Sequence, residues 1–213
     1  MSEKVCDLEK QCSIRIQLGE LPVVKTFIMQ ISDTYPESYW FKSKVLTGQD
    51  SIELKTGTEV NGNWALEFRL DKRVSLDRVL GFDFLFSDGP NFISPRLYDI
   101  LVGSNISGLQ YIDADIYIEG KKYKGYKVLN ITNRLAAFDA ENSRCEPLLS
   151  YISDGPKKYT EIVLNKDISP AVDMFRAEED FTVMLAVERV KLLFESNQIV
   201  GVQFKDRMVQ NSF

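Results

Sequence analysis

Histidine is absent from the 213-residue chain. Its absence excludes Ser-His-Asp and Cys-His catalysis in their usual forms. It also excludes imidazole acid–base chemistry and every metal site built on imidazole. Cysteine is scarce: Cys6, Cys12 and Cys145 are odd in number and form no C-x-x-C pair, so free thiols in a reducing compartment are expected. No run approaches the roughly 18 apolar residues of a membrane span. The opening "MSEKVCDLEKQC" is charged and lacks the apolar stretch of a secretory signal. The expectation is a cytoplasmic protein with no membrane partner. Phosphate-cradling glycine loops, the G-x-G-x-x-G and G-x-S-x-G patterns and H-E-x-x-H are all missing. No catalytic, metal or cofactor-binding residue is therefore assigned, and a non-enzymatic protein is expected.

What is present suffices for a packed core: 44% hydrophobic and 27% charged residues. The net charge of -5 repels nucleic acid backbones and attracts cationic partners, so no nucleic acid is expected as partner. Up to residue 90 the pattern is mostly of strands: "SIRIQL" (13–18), "VVKTFIMQI" (23–31), "SIELKT", "WALEFRL" and "VLGFDFLFS". Asn61-Gly62 is a tight-turn signal among them. A β-rich stretch over 1–90 and an α+β region over 91–213 are expected to form one globular unit.

The strongest internal signal is a repeat. "PRLYDILVGSNISGLQYID" from Pro95 aligns without a gap on "ERVKLLFESNQIVGVQFKD" from Glu188, 93 positions later. Leu97, Ile100 and Leu101 recur at helical spacing, as do Val190, Leu193 and Phe194. Ser94-Pro95 fits an N-cap followed by proline at the first helical position. Each copy reads as a helix, a short loop with a glycine (Gly108, Gly201) and a strand. "LQYIDADIYI" (109–118) and "YKGYKVLNIT" (123–132) pair across a turn at Glu119-Gly120-Lys121. The fold class is α+β, mainly antiparallel, with two fused related helix–strand units whose six apolar helix positions are buried.

Three charged stretches are candidates for binding. Asp113 and Asp115 lie on one face of a strand, the arrangement that can hold a divalent cation; a solvent-facing strand produces the same alternation. "KKYKGYK" (121–127) interleaves lysine with tyrosine, as nucleic-acid surfaces and basic hairpins both do. Glu178, Glu179 and Asp180 form a compact acidic run before the second copy of the repeat, either a loop offered to a basic partner or a solvated turn. "SDGP" occurs twice (87–90 and 153–156) and reads as turn chemistry.

The order of "FISPRLYDIL", "YKGYKVLNITNRLAAFDAENS" and "MFRAEEDFTVMLAVERVKLLFESNQIVGVQF" resembles bacterial polymorphic-toxin immunity proteins of the "immunity protein eleven" class. The shared features fall on Ser94, Tyr126 to Ile131, Phe138-Asp139 with Ser143, Phe175-Arg176, and Gly201 to Phe204, within about residues 91–204. Where the family has "DALD" this chain has "AAFD", with Ala136 at the first acidic position. The resemblance implies a non-catalytic protein that neutralises a cognate toxin, delivered by a secretion system and bearing a basic surface, and protects the producing cell and its kin. Glu178, Glu179, Asp180, Asp113 and Asp115 are the expected partner-binding residues. Two alternatives stay open: a metal-using enzyme built on Asp113 and Asp115, and a structural or adaptor module of a secretion system.

Overall fold

The computed structural model describes residues 24–149, 151 and 155–209. The strand expected at 13–18 and part of the second "SDGP" lie outside these residues. In chain order the strands are β1 (Thr26–Ile31), β2 (Lys42–Val45), β3 (Leu66–Leu70), β4 (Phe84–Leu85), β5 (Phe92–Ile93), β6 (Leu109–Ile118) and β7 (Lys121–Ile131). Then come β8 (Arg134–Leu135), β9 (Arg144–Pro147), β10 (Lys157–Val163), β11 (Met174–Ala177), β12 (Met184–Val187), β13 (Val202–Lys205) and β14 (Arg207–Val209). Three α-helices, α1 (Leu76–Leu80), α2 (Pro95–Gly103) and α3 (Glu188–Ser196), complete the α+β fold with two short 3-10 turns. The sheets have the orders β2-β3-β6-β7-β5-β4, β13-β1-β12-β11-β8 and β14-β10-β9. Only β3–β6 and β8–β11 pair in parallel among these strands.

Local signals place the repeated unit closely. Ser94 accepts the Leu97 N–H at 3.1 Å and Pro95 opens α2. Both repeat helices end in the same way. Ile106 N–H reaches the Leu101 carbonyl and Asn105 N–H the Val102 carbonyl; Ile199 reaches Phe194 and Gln198 reaches Glu195. This is the Schellman pattern. Asn105 and Gln198 take the left-handed conformation it needs, at φ 49° and 53°.

The repeat extends beyond the matched residues. In the order β6-β7-β5-β4 the helix α2 joins β5 to β6; in β13-β1-β12-β11 the helix α3 joins β12 to β13. β1 therefore fills in the second unit the place that β7 fills in the first. One copy draws its inner strand from after the helix–strand pair, and the other from far before it. That circular shift leaves no ungapped sequence match for β1 and β7.

The two units clasp each other through paired arginines. Arg96 on α2 donates to the Asn197 and Gln198 carbonyls at the end of α3, at 3.0 and 3.4 Å. Arg189 on α3 donates to the Ser104 and Asn105 carbonyls at the end of α2, at 2.6 and 3.1 Å. Asp83 pairs with Arg96 and also accepts Ser94 Oγ–H and the Val200 N–H. Asp173 pairs with Arg189 and accepts the Ser107 N–H and hydroxyl. Where the chains cross, a Cβ on Gly108 would come within 2.1 Å of the Met174 carbonyl oxygen. One on Gly201 would come within 2.2 Å of the Phe84 carbonyl oxygen.

Leu97, Leu101, Val190 and Phe194 are buried as expected, but Ile100 and Leu193 are only half-buried. These two occupy the same place in the repeat, at the rim of each helix's apolar stripe. Other expectations change more. "SIELKT" is a 3-10 turn (Ser51–Lys55), started by the Asp50 carboxylate accepting the Ile52 N–H at 2.9 Å. It buries Leu54 and leaves Ile52 exposed, which a strand with both on one face would not do. In "VLGFDFLFS" the Val79-Leu80 segment ends α1, Gly81 caps it, and the strand begins only at Phe84.

Asp83 is 3% exposed and Asp173 more open, so the two ends of the clasp differ in strength. Asp83→Ala is expected to cost about 3 kcal/mol, the low end for breaking a buried pair because Arg96 is half exposed. Asp173→Ala should cost less, and urea denaturation of both variants checks the order. In the same assay Phe194→Ala should cost about 3–5 kcal/mol, and Leu193→Ala clearly less.

Candidate functional site

The β6–β7 hairpin determines what Asp113 and Asp115 can do. Its turn has Glu119 and Gly120 at φ 49° and 79°, the double positive φ of a tight hairpin turn. That turn sets Tyr117 opposite Lys122. A bulge then interrupts the ladder between Ala114 and Ile116, with Gly125 at φ 90° on the opposite strand. Beyond it Asp113 faces Lys127. Lys127 Nζ lies 2.5 Å from Asp113, and Lys122 Nζ lies 2.5 Å from Asp115. Its hydrogen bond to Asp115 holds the Lys122 ammonium above its ordinary pKa. The acidic pair and the basic stretch singled out in the sequence thus answer each other across one hairpin. Each carboxylate of the pair has its own ammonium partner. Beside them is an open recess of 460 Å³, bordered by Asp113, Asp115, Lys122, Lys124, Leu46 and Trp64. Exposed pairs of this kind contribute about 0–1 kcal/mol, so a partner can exchange them cheaply.

Glu178, Glu179 and Asp180 form the turn between β11 and β12, and each does something different. Asp180 accepts the Thr182 N–H and hydroxyl at 2.9 and 2.6 Å, a local turn device. Glu179 Oε1 accepts the Ala137 and Phe138 N–H groups at 2.9 and 3.0 Å. Glu178 makes a loose ion pair with Arg134 at 3.5 Å and is the most exposed of the three, at 56% of its side chain. The two acidic sets lie on different sheets.

An apolar surface went unnoticed in the sequence. Leu148, Leu149 and Tyr151 follow β9 and are 58%, 41% and 80% exposed. All four residues of β9, an edge strand, are exposed too. The available signal was "PLLSY": proline stops strand pairing, and an apolar cluster follows directly. No helix among the described residues is long and apolar enough to cross a membrane.

Glu179→Ala leaves two backbone N–H groups without their acceptor and is expected to destabilise the fold by about 1–3 kcal/mol. Glu178→Ala should change stability by no more than about 1 kcal/mol. Chemical denaturation of the two single variants separates a structural carboxylate from a free one.

No curated protein matches the chain. Residues 33–209, more than four-fifths of the sequence, match the family described as "Immunity protein family (Imm11)". The match takes in the whole clasped pair of units except the first strand, together with both acidic sets, and the protein belongs to the Imm11 immunity protein family.

Proposed function

We propose that this protein binds a cognate toxin stoichiometrically in the cytoplasm of the cell that makes it, and so protects that cell and its kin. Family membership carries the proposal. The role is inhibitory rather than enzymatic, and the toxin is one delivered by a secretion system and bearing a basic surface. Two surface features support it. Asp113, 88% exposed, and Glu178 offer negative charge on weak, exchangeable ion pairs. Leu148, Leu149 and Tyr151 offer apolar side chains that a partner can bury. Rim charges act mainly on association, and buried anchors act mainly on dissociation. Glu179, Asp180 and Asp115 add further negative charge on their two separate sheets while holding their internal partners.

Co-expression with the toxin encoded beside the gene should restore survival, and the two proteins should co-purify. The Asp113→Asn, Glu178→Ala double variant should associate about tenfold more slowly at low salt, with a flatter ionic-strength dependence. Tyr151→Ala should instead speed dissociation. Survival without a complex would defeat stoichiometric binding. Unchanged rates in every variant would put the interface elsewhere.

A further inference from the structure

Arg176 is 4% exposed, yet no acid among the described residues answers it. Its Nη1 donates to the Phe181 carbonyl at 2.8 Å. Its Nε is buried and meets no acceptor among the described residues. Burial alone pushes its pKa down to about 10, with no described carboxylate offsetting the loss. Buried charges in proteins are ordinarily paired, and a buried donor without an acceptor calls for a partner.

The surroundings add more positive charge. The parallel pairing of β8 and β11 sets Arg134 directly opposite Arg176. Lys55, half-buried at the end of its 3-10 turn, has its pKa lowered by burial and then by the charge of Arg176. Gly57 lies over both arginines: a Cβ there would come within 2.4 Å of Arg134 Cγ and 3.4 Å of Arg176 Cδ. Arg134 keeps 38% of its side chain exposed. The cations are therefore graded from solvent inward, Arg134 to Lys55 to Arg176. At the mouth Glu178 is loosely held on Arg134.

With Nη1 committed to a carbonyl, the edge left to Arg176 is the one formed by Nε and Nη2. That edge is the side-on fork that fits two oxygens of one anionic group. We propose that Arg176, with Arg134 and Lys55 at its mouth, forms a binding site for an oxyanion, a carboxylate or phosphate group, beneath the 55–57 segment. The anion enters from the Arg134 side, displaces Glu178 and supplies the counter-charge that Arg176 lacks. Entry takes a small shift of the 55–57 segment, because the Nε edge is closed off from solvent. The site needs no toxin, so it stands or falls separately from the immunity role.

The test uses the purified protein alone. Thermal unfolding is followed while potassium phosphate, potassium acetate or N-acetylglutamate replaces potassium chloride at constant ionic strength. A saturable rise in the midpoint is expected with at least one of the three. Saturation at the lowest concentration by phosphate identifies a phosphate site. Saturation first by acetate identifies a free carboxylate, and by N-acetylglutamate a carboxylate on a stem such as a partner's glutamate side chain. Arg176→Met should weaken the apparent affinity about tenfold or more, the effect of losing a charge-assisted contact. Glu178→Gln should tighten it, because the competing carboxylate is gone. The site is refuted if none of the three gives a saturable rise, or if Arg176→Met responds as the wild type does. Should Arg176→Met not fold, Glu178→Gln decides: tighter binding supports the site, and unchanged binding refutes it.

Discussion

Two arginines, each closing the helix that carries the other, hold this protein together. A helix ends with carbonyls that lack partners and with partial negative charge, so a guanidinium there supplies both donors and compensating charge. Arg96 serves the end of α3 and Arg189 the end of α2, each steadied by an aspartate of its own unit. The aspartates also hold the crossing chain: Asp83 takes the Val200 N–H and Asp173 the Ser107 N–H. Separating the units would strip two helix ends and two ion pairs together. The crossing brings backbone against backbone, and only glycine leaves room for it at residues 108 and 201.

That constraint places the surfaces. α2 delivers the chain into β6 at a defined height, and the β6–β7 turn then sets acid against base. Around β8 and β11 the opposite occurs, where strand pairing sets base beside base and one guanidinium is left, among the described residues, with only a carbonyl. The same physics makes the first surface weak and exchangeable and the second demanding. Charges in water cost little to re-pair, whereas a charge away from water needs its partner. A net charge of -5 therefore says little about where a partner is recognised.

The repeated helix–strand units were legible because their signals are local. A serine cap, a proline at the first turn, apolar residues at helical spacing and alternation along β6 each act within a few residues. Their ends agree with the structure to within a residue or two: α2 is Pro95–Gly103, and β6 is Leu109–Ile118. The short elements were not legible. Ser51–Lys55 alternates like a strand, but an aspartate cap and the burial of one leucine made it a 3-10 turn. The acidic run at 178–180 read as one charged feature, although Glu179 serves backbone groups some forty residues away in the chain.

By itself, then, the sequence determined the fold class, the helix–strand repeat, the family and the lack of imidazole chemistry. These rest on composition, periodicity and order along the chain, which need no knowledge of what lies across the core. Only the tertiary structure decided that β1 completes the second unit, that Asp113 and Asp115 are held by lysines, and that Arg176 is buried with no acid beside it among the described residues. Each of these depends on residues brought together from distant parts of the chain. A charge or a strand edge acquires its meaning from whatever faces it, and the sequence names the residue without naming that neighbour.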